Sequence, residues 1–323
     1  MKFASFHVDG QDTYGVALTE RQIIDLPASG WPDVPTDLLS FIESGDTGLE
    51  LAANMLDNHA AAVTVDVQDL DWRPPIPRPG KICGIAMNNS ASNERKISAP
   101  DHPAFFLKPA SCLIGHRGTM EIRSYYGSVH PEPELALVIG RAARDVDAAN
   151  ATEHIFGYTI FDDFTGNGMR SEDLFRYYAL YASDEDPGKL ERREQHLSYA
   201  GRYKGTDGFG AMGPWLVTRD EIPDPDNLDV TCKVGGELVA EDSTRYYNYK
   251  VVEIVSFISQ FLTLDPGDVI SCGTAFKPSA SRKSIHHANL QKIDGPVEVG
   301  IEGLGTQEIS IVRKRAEIGR WRL

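Results

Sequence analysis

Two glutamates, Glu132 and Glu134, are the residues whose types and spacing most directly suggest chemistry in this sequence of 323 residues. They belong to the stretch HPEPELALVIG at residues 130–140. If this stretch forms a strand, side chains two residues apart share a face, so the two carboxylates lie side by side. Neighbouring carboxylates repel each other and favour a shared cation, and Mg²⁺, Mn²⁺ and Ca²⁺ take such oxygen ligands. The pair predicts a divalent-metal site, and a solvated acidic edge is the alternative interpretation.

The overall charge limits the kinds of partner. With 32 Lys and Arg against 47 Asp and Glu, the formal net charge is −15, and the acidic residues are scattered along the chain. This balance argues against binding to nucleic acids or to anionic membranes. It does not exclude an anionic small-molecule substrate, because a bound metal ion can reverse the local field.

The cysteines and the hydropathy pattern indicate the compartment. The four cysteines show no C-x-x-C spacing, which favours buried, reduced thiols over a disulfide framework. The N-terminal residues lack the apolar core of a signal peptide, and no apolar run approaches the length of a membrane span. We therefore expect a soluble, cytoplasmic protein.

Residues 1–75 are predicted to form a small N-terminal α/β domain. Gly and Asp turns separate short strand-like runs, and two later segments show helical spacing of apolar residues. The predicted strands are Lys2–Val8, Thr13–Leu18 and Gln22–Asp25, and the predicted helices are Asp37–Ser44 and Leu49–Ala62. The proline-rich segment at 73–79 cannot join a central strand, so we place the boundary to a second domain, residues 76–323, within it.

The second predicted domain consists mainly of short apolar runs separated by Gly and Pro, which are typical of strands. The predicted strands are 81–86, 104–108, 134–139, 155–161, 215–218, 230–234, 269–271, 297–302 and 309–313. Two helices are predicted, at Ser171–Ala182 and at Tyr249–Leu262. So many strands with so few helices favour a β-rich roll or sandwich over alternating βαβ units.

Seven short motifs in this region occur in an order that resembles one protein family. They are ICGI (82–85), FFLKP (105–109), EPELALVIG (132–140), GYTIFDD (157–163), MGPWLVT (212–218), LDPGDVISCGT (264–274) and EGLG (302–305). Each motif alone carries little information, but the ordered series is specific. It resembles the fumarylacetoacetate hydrolase superfamily from Lys81 almost to the C-terminus.

The resemblance implies an α+β, β-rich fold, in which a small N-terminal α/β domain precedes a β-roll catalytic domain, usually assembled as a homodimer. It also implies that Glu132, Glu134 and Asp163 bind the metal, which we expect to be Mg²⁺, with Mn²⁺ or Ca²⁺ as alternatives. By composition alone Asp162 could serve as well as Asp163, and the resemblance selects Asp163. The alternative for Asp163 is a helix cap for the following segment.

The resemblance assigns further roles to residues outside this triad. Lys204 corresponds to the family's lysine after the metal aspartate, where an ammonium can stabilise developing negative charge; a solvated side chain is the alternative. Gly273 and Thr274 resemble a pair that contacts substrate, and an ordinary turn is the alternative. Asn167 stands where the family has a substrate-binding arginine. Arg170, three residues further on, could supply a displaced guanidinium to bind a carboxylate, or could face solvent.

Such a site suits a 2-oxo acid, which can bind a divalent ion that then stabilises an enolate as a Lewis acid. Hydrolysis of an acylpyruvate also needs a base to activate water, and in the family this is a histidine on a lid loop, paired with a glutamate. Here Glu94 keeps the glutamate's place, but Ala91 stands in the histidine's place. Another histidine could replace it from elsewhere in the chain, but each candidate is expected to be a surface or turn residue; the candidates are His102, His116, His130, His286 and His287.

These residues support two reactions. The first is metal-dependent hydrolysis of a C–C bond in an acylpyruvate-like 2-oxo acid, in aromatic or sugar-acid catabolism, with Glu94 and Lys204 as catalytic residues. The alternative is a lyase or isomerase, such as a decarboxylase, tautomerase or dehydratase, which does not need the missing histidine. A binding protein with a vestigial site is disfavoured because all three metal carboxylates are present. The segment 171–203 is longer than the family pattern and aromatic, which suits a lid, a dimer contact or a surface helix.

Overall fold

The structure is a computed structural model that describes residues 1–89, 99–274, 285 and 288–317. The strands, numbered here in chain order, are β1 (Lys2–Val8), β2 (Gln11–Ala17), β3 (Gln22–Asp25), β4 (Thr64–Asp66), β5 (Asp71–Trp72), β6 (Ile82–Ala86), β7 (Ala104–Lys108), β8 (Leu113–Ile114), β9 (Thr119–Arg123), β10 (Val129–His130), β11 (Pro133–Ile139), β12 (Ile155–Asp162), β13 (Thr165–Gly166), β14 (Leu174–Ala182), β15 (Leu190–Ser198), β16 (Gly210–Met212), β17 (Leu216–Thr218), β18 (Asp229–Val234), β19 (Glu237–Ser243), β20 (Val269–Thr274), β21 (Val297–Ile301) and β22 (Gly305–Lys314). The α-helices are α1 (Leu38–Glu43), α2 (Asp46–Asp57), α3 (Asn167–Glu172), α4 (Gly201–Gly205) and α5 (Val251–Ser259).

One large sheet organises the molecule. Its strands follow the order β4-β3-β2-β1-β17-β12-β11-β20-β6-β7, with β5, β8 and β16 attached beside this path. The N-terminal strands join it through β1, where Lys2 pairs with Val217 and Phe3 with Leu216. The division into domains at residues 1–75 and 76–323 stays a prediction.

The central strand β11 is buried along its whole length because both faces of the sheet are covered. Leu135 and Leu137 belong to the core that also contains apolar residues of α5 and of the second sheet, whose order is β19-β18-β21-β22-β9. Ala136 and Val138 face a separate core that contains residues of α1 and α2. A strand buried on both faces explains the unbroken apolar run in the sequence.

Most of the predicted elements are confirmed, and the ends of several differ by a few residues. The strands predicted at Lys2–Val8, Gln22–Asp25 and Ala104–Lys108 begin and end at the predicted residues. The helix predicted at Tyr249–Leu262 is confined to α5. All four cysteines are buried and unpaired, as predicted. Among the described residues, no helix is both long enough and apolar enough to cross a bilayer.

The prediction of a helix at Ser171–Ala182 was wrong. Helix α3 ends at Glu172, and after Asp173 the nine residues of β14 form a strand, which pairs antiparallel with β15 in a separate two-stranded sheet. Phe and Tyr are frequent in this segment and favour strands, and pairing with β15 satisfies the backbone along its whole length.

The stability of the fold is predicted to fall at acidic pH because of the imidazole of His116. Its Nδ1 accepts the backbone N–H of Glu308 at 3.0 Å, and its ring packs edge-on against Trp72. Burial, together with the neighbouring charge of Arg117, lowers the pKa of His116 from 6.5 to about 4. The unfolded chain binds a proton near the higher value, so stability should fall as the pH drops from 6.5 towards 4.

We expect protonation of His116 to lower the free energy of unfolding by roughly 2–3 kcal/mol as the pH drops from 6.5 towards 4. Urea unfolding above and below the range measures the loss. His116→Gln should lose less stability on acidification than the wild type. His59→Gln, at an exposed position, should lose as much as the wild type. Equal losses in the wild type and in His116→Gln would contradict this assignment.

Candidate metal centre

Strand register brings together acidic residues that are thirty positions apart in the sequence. In the β11–β12 pair, Pro133 lies opposite Asp162, so Glu132 and Asp163 continue side by side beyond the ends of the two strands. The backbone N–H of Asp163 donates to the carbonyl of Glu132 at 3.0 Å. On the other edge of β11, Glu134 pairs with Thr274 of β20. The site is therefore built at the ends of three adjacent strands.

Glu132, Glu134 and Asp163 form one carboxylate cluster, in which each residue offers an oxygen within 4.8 Å of the others. The side chains of Glu134 and Asp163 are buried, whereas that of Glu132 is 19% exposed. A small molecule would consequently reach this cluster from the side of Glu132. The structure brings together the three residues predicted as metal ligands, and their role as ligands stays a prediction.

The structure separates the two adjacent aspartates that composition alone left equivalent. Asp162 turns away from the cluster, and its Oδ1 accepts the backbone N–H of Glu132 at 2.8 Å. Burial raises the pKa of the Asp162 carboxyl to about 8. Asp162 therefore fixes the backbone of a predicted ligand, and Asp163 offers its oxygens to the cluster.

Strand β20 orients Glu134. The carboxylate of Glu134 accepts hydrogen bonds from Ser271 Oγ at 2.5 Å, from the Gly273 N–H at 3.0 Å and from Thr274 Oγ1 at 3.3 Å. Gly273 has a φ of +90°, and a Cβ there would lie 2.9 Å from the Cβ of Asn88, so the position requires glycine. Contact of Gly273 and Thr274 with substrate stays a prediction, whereas their contact with Glu134 is seen directly.

Lys204 lies beside the carboxylate cluster, and its catalytic role stays a prediction. Its Nζ is 2.6 Å from Glu132 Oε2 and 2.5 Å from Asp163 Oδ2. Burial opposes the charged form of this ammonium, but the three carboxylates outweigh burial and raise the Lys204 pKa. Burial likewise opposes ionisation of Glu132, but Lys204 and His130 together outweigh it, so the pKa of Glu132 is lowered.

A second lysine, Lys108, lies behind the cluster and was not predicted. Its fully buried Nζ donates to Asp163 Oδ1 at 2.5 Å, to the carbonyl of Phe209 at 3.0 Å and to the carbonyl of Lys204. Three N–H donors are thus used by three acceptors. Lys108 ties Asp163 to α4, the short helix that carries Lys204. Its sequence signals are its place in the FFLKP motif and its position at the end of an apolar strand, before a proline.

His130 also supports the cluster, and its prediction as a surface or turn residue was wrong because it is buried. Its Nε2 lies 3.0 Å from Glu132 Oε1, and its Nδ1 lies 3.0 Å from the side-chain nitrogen of Asn167. With the Asn167 amide donating to Nδ1, the proton of a neutral His130 sits on Nε2 and is donated to Glu132. Asn167 therefore acts on Glu132 through His130, and its contact with substrate stays a prediction.

The remaining predicted residues lie outside the cluster or outside the described chain. Arg170 is exposed on α3, three residues after Asn167, and its binding of a substrate carboxylate stays a prediction. Glu94 and Ala91 lie outside the described residues. The predicted role of Glu94 as a base is therefore untested by this geometry.

The arrangement fits a divalent cation. Burial, together with the charges of Asp163 and Glu132, raises the pKa of Glu134 well above its usual range. Three carboxylates facing one another are costly unless cations neutralise them, and hard oxygen donors suit Mg²⁺ or Mn²⁺. Glu134 Oε2 accepts two hydrogen bonds, but each of the other five carboxylate oxygens of the cluster accepts one from the described residues and keeps a second lone pair for a metal ion.

The chain matches the family described as fumarylacetoacetate hydrolase, C-terminal, over residues 81–312. The protein therefore belongs to the fumarylacetoacetate hydrolase family, as the ordered motifs predicted. The predicted fold class, α+β and rich in strands, is confirmed by solved structures of the same fold. The fumarylacetoacetate hydrolase of Exiguobacterium antarcticum superposes with a TM-score of 0.73 at 25% identity, over 97% of this chain and 100% of that one.

Other relatives differ in the reaction that their names give. A Burkholderia multivorans protein, provisionally named a hydrolase, is 31% identical over 95% of this chain and 97% of its own length. The mitochondrial oxaloacetate tautomerase of Xenopus laevis is 31% identical over 78% of this chain and 72% of its own length. Maleylpyruvate hydrolase from Sphingobium sp. SYK-6, solved with manganese(II) and pyruvate, has a TM-score of 0.71 at 24% identity, over 98% of this chain and 100% of that one.

Proposed function

We propose that this protein is a divalent-metal-dependent hydrolase that cleaves a C–C bond of an acylpyruvate-like 2-oxo acid in the catabolism of aromatic or sugar acids. We further propose Mg²⁺ as its metal, with Mn²⁺ or Ca²⁺ as alternatives, and the cytoplasm as its location. One observation carries this proposal: three carboxylates converge beside the ammonium of Lys204 at the end of a buried strand.

In this proposal the residues of the cluster and those around it have different roles. A divalent ion held by the three carboxylates would polarise the keto oxygen of a 2-oxo acid. Lys204, on the partly exposed side next to Glu132, can donate to a substrate oxygen that gains negative charge. Lys108, His130 and Asn167 hold these groups in place, so that little reorganisation is needed when charge develops.

Hydrolysis requires one further step. Water adds to the carbonyl distal to the 2-oxo acid, and a base accepts a proton from that water. The C–C bond then breaks, its electron pair forms the pyruvate enolate, and protonation at carbon gives pyruvate and a carboxylic acid. From the sequence we assign the base to Glu94. The provisional hydrolase name of the Burkholderia relative, which matches almost the whole chain, supports this reaction.

A lyase or isomerase of a 2-oxo acid, such as a decarboxylase, tautomerase or dehydratase, is the second candidate. The specific observation in its favour is Ala91, which stands where the family's lid histidine is expected, so the usual activation of water is incomplete. The similarity to an oxaloacetate tautomerase at 31% identity agrees with this alternative. Proton transfer at C3 needs enolate stabilisation but no attacking water.

Product analysis by mass spectrometry separates the two candidates. The purified protein, loaded with Mg²⁺ or Mn²⁺, is incubated with a panel of acylpyruvates and with oxaloacetate. A hydrolase gives pyruvate and a carboxylic acid that carries ¹⁸O from labelled water. A decarboxylase gives pyruvate and carbon dioxide from oxaloacetate, and a tautomerase gives no change in mass but equilibrates the keto and enol absorbances. Pyruvate without an ¹⁸O-labelled acid would overturn the hydrolase proposal.

A further inference from the structure

The aromatic ring of Phe106, on β7, lies against the ammonium of Lys204. The centroid of the ring is 5.4 Å from Lys204 Nζ, the atom that also pairs with Glu132. Phe106 is half-buried, and Glu132 is the partly exposed member of the carboxylate cluster. The ring therefore lies on the side from which a small molecule would reach the cluster.

Strand register places this ring on the same face of the large sheet as the cluster. Ser271 of β20 lies beside Gly84 of β6, and Gly84 lies opposite Phe106 of β7. Residues paired across neighbouring strands direct their side chains to the same face, and on that face Ser271 donates to Glu134. This row of three paired positions therefore runs from a predicted metal ligand to the last strand of the sheet.

Alternation along β7 separates two neighbouring phenylalanines. Phe106 and Lys108 share one face of the strand, and Lys108 donates to Asp163 of the cluster. Phe105 is on the opposite face, where its ring packs edge-on against Phe257 of α5. Phe105 is therefore a matched control for Phe106, because it has the same side chain on the same strand but faces away from the cluster.

The lack of a side chain at Gly84 makes room for the ring. A Cβ at this position would lie 2.5 Å from Cζ of Phe106 and 2.9 Å from its Cε2. Carbon atoms in contact are normally about 3.5–4.0 Å apart, so a larger residue requires the ring to move. The tip of the ring thus lies over β6, in the direction of β20. On the other side β7 ends the path of the large sheet, and no described strand pairs with its outer edge.

We propose that Phe106 forms an apolar wall of the substrate site and selects 2-oxo acids that carry an apolar chain beyond the keto group. The wall rests on the proposed function and narrows its class of substrate. A chain that leaves the cluster on its open side reaches the ring beside Lys204. Contact with the ring buries apolar surface and so favours methylene or aromatic groups. Hydroxyl groups, as in acids derived from sugars, would lose water there without a hydrogen-bond partner on the ring.

Competition between pyruvate and 2-oxohexanoate tests this selection. Both acids are mixed with the Mg²⁺-loaded protein in D₂O, and exchange at C3 is divided by the exchange with Mg²⁺ alone to give a ratio of kcat/KM values. The wild type should favour 2-oxohexanoate by at least about tenfold, since its three extra carbons contact the wall. Phe106→Ala should lower this preference at least about fivefold and Phe106→Leu by less. Phe105→Ala should leave it unchanged.

Gly84→Ala is the reciprocal variant, because its Cβ displaces the ring without removing it. It should lower the preference for 2-oxohexanoate as well, and circular dichroism checks that each variant is folded. A ring that only holds Lys204 in place gives a different result, because exchange of both acids then falls by the same factor in Phe106→Ala. Such an equal loss, or a wild type without preference, overturns the proposal.

Binding of unreactive analogues distinguishes failure of the wall from failure of the proposed reaction. Oxamate and N-butyloxamate both carry a carboxylate next to a carbonyl, as a 2-oxo acid does, and only the second has an apolar chain. Calorimetric titration of the Mg²⁺-loaded wild type and of Phe105→Ala should give at least about tenfold tighter binding of N-butyloxamate, and Phe106→Ala should lose most of that difference. If this holds but neither acid exchanges, the wall stands and the proposed reaction is wrong. Equal binding of the two analogues to the wild type, or binding of neither, overturns the wall.

Discussion

Glu134→Gln should lower metal-dependent kcat/KM by about 10³-fold or more, which corresponds to ~4 kcal/mol of transition-state stabilisation. Gln keeps the size of the side chain and an oxygen for the hydrogen bonds from Ser271 and Gly273, but removes the charge that a divalent ion requires. Asp163→Asn and Glu132→Gln should have effects of the same order, because all three carboxylates belong to one cluster.

The metal-free Glu134→Gln protein should be at least as stable as the wild type, although its activity is lower. Since burial and neighbouring charges raise the pKa of Glu134, a neutral side chain at this position relieves an unfavourable charge. Urea unfolding of the metal-free protein should therefore give a stability equal to or above that of the wild type. Glu237→Gln, on an exposed strand position, is the control for both measurements. A variant that keeps full activity, or that loses activity only because it unfolds, would refute this role of Glu134.

Lys108→Met should destabilise the protein by about 3–5 kcal/mol, the cost typical of removing one partner from a buried ion pair. The substitution leaves Asp163 Oδ1 without its ammonium partner and removes the donor to the carbonyls of Lys204 and Phe209. Saturating Mn²⁺ should restore part of the lost stability, because a metal ion on Asp163 replaces some of the missing positive charge.

Lys81→Met is the matched control for this second prediction. Lys81 also pairs with two aspartates, Asp265 and Asp268, but its side chain is 23% exposed and water can replace part of the lost interaction. Lys81→Met should therefore lose clearly less free energy of unfolding than Lys108→Met, as measured by urea unfolding. Equal losses in the two variants would mean that Lys108 is an ordinary ion-pair residue and no special support of the carboxylate cluster.

The acidic cluster could be predicted from sequence because its signals are local. Glu132 and Glu134 are two residues apart, and Asp163 directly follows the next long apolar strand, so a correct family resemblance was enough to group them. The choice of Asp163 over Asp162 came from the resemblance alone. The register of β11 with β12 supplies the physical reason, because it directs Asp162 towards the backbone of Glu132.

The residues that support the cluster could not be predicted because their partners are distant in the chain. The acceptors of Lys108 lie 55, 96 and 101 positions away, and no spacing rule connects them. His130 was one of the histidines considered in the sequence, but a lone histidine next to a proline gives no indication that its side chain is buried. Its contact with Asn167, 37 positions away, depends on where α3 packs.

The segment that forms β14 shows how the spacing of apolar residues can mislead a prediction of secondary structure. Leu174, Tyr177, Tyr178 and Tyr181 have the i, i+3, i+4, i+7 spacing of an amphipathic helix, although they lie on a strand. A strand with apolar residues on both faces has no visible period of two, so the two patterns could not be distinguished within this segment. Pairing with β15, whose sequence is highly charged, decided the outcome.

Deuterium exchange into pyruvate tests the central claim most directly, because every candidate reaction passes through an enolate of a 2-oxo acid at the carboxylate cluster. Proton NMR in D₂O follows the loss of the methyl signal of pyruvate with protein and Mg²⁺. We predict exchange well above that of Mg²⁺ alone, and its loss both in Glu134→Gln and after EDTA treatment of the wild type. Absence of exchange in the metal-loaded wild type, or undiminished exchange in Glu134→Gln, would contradict the account.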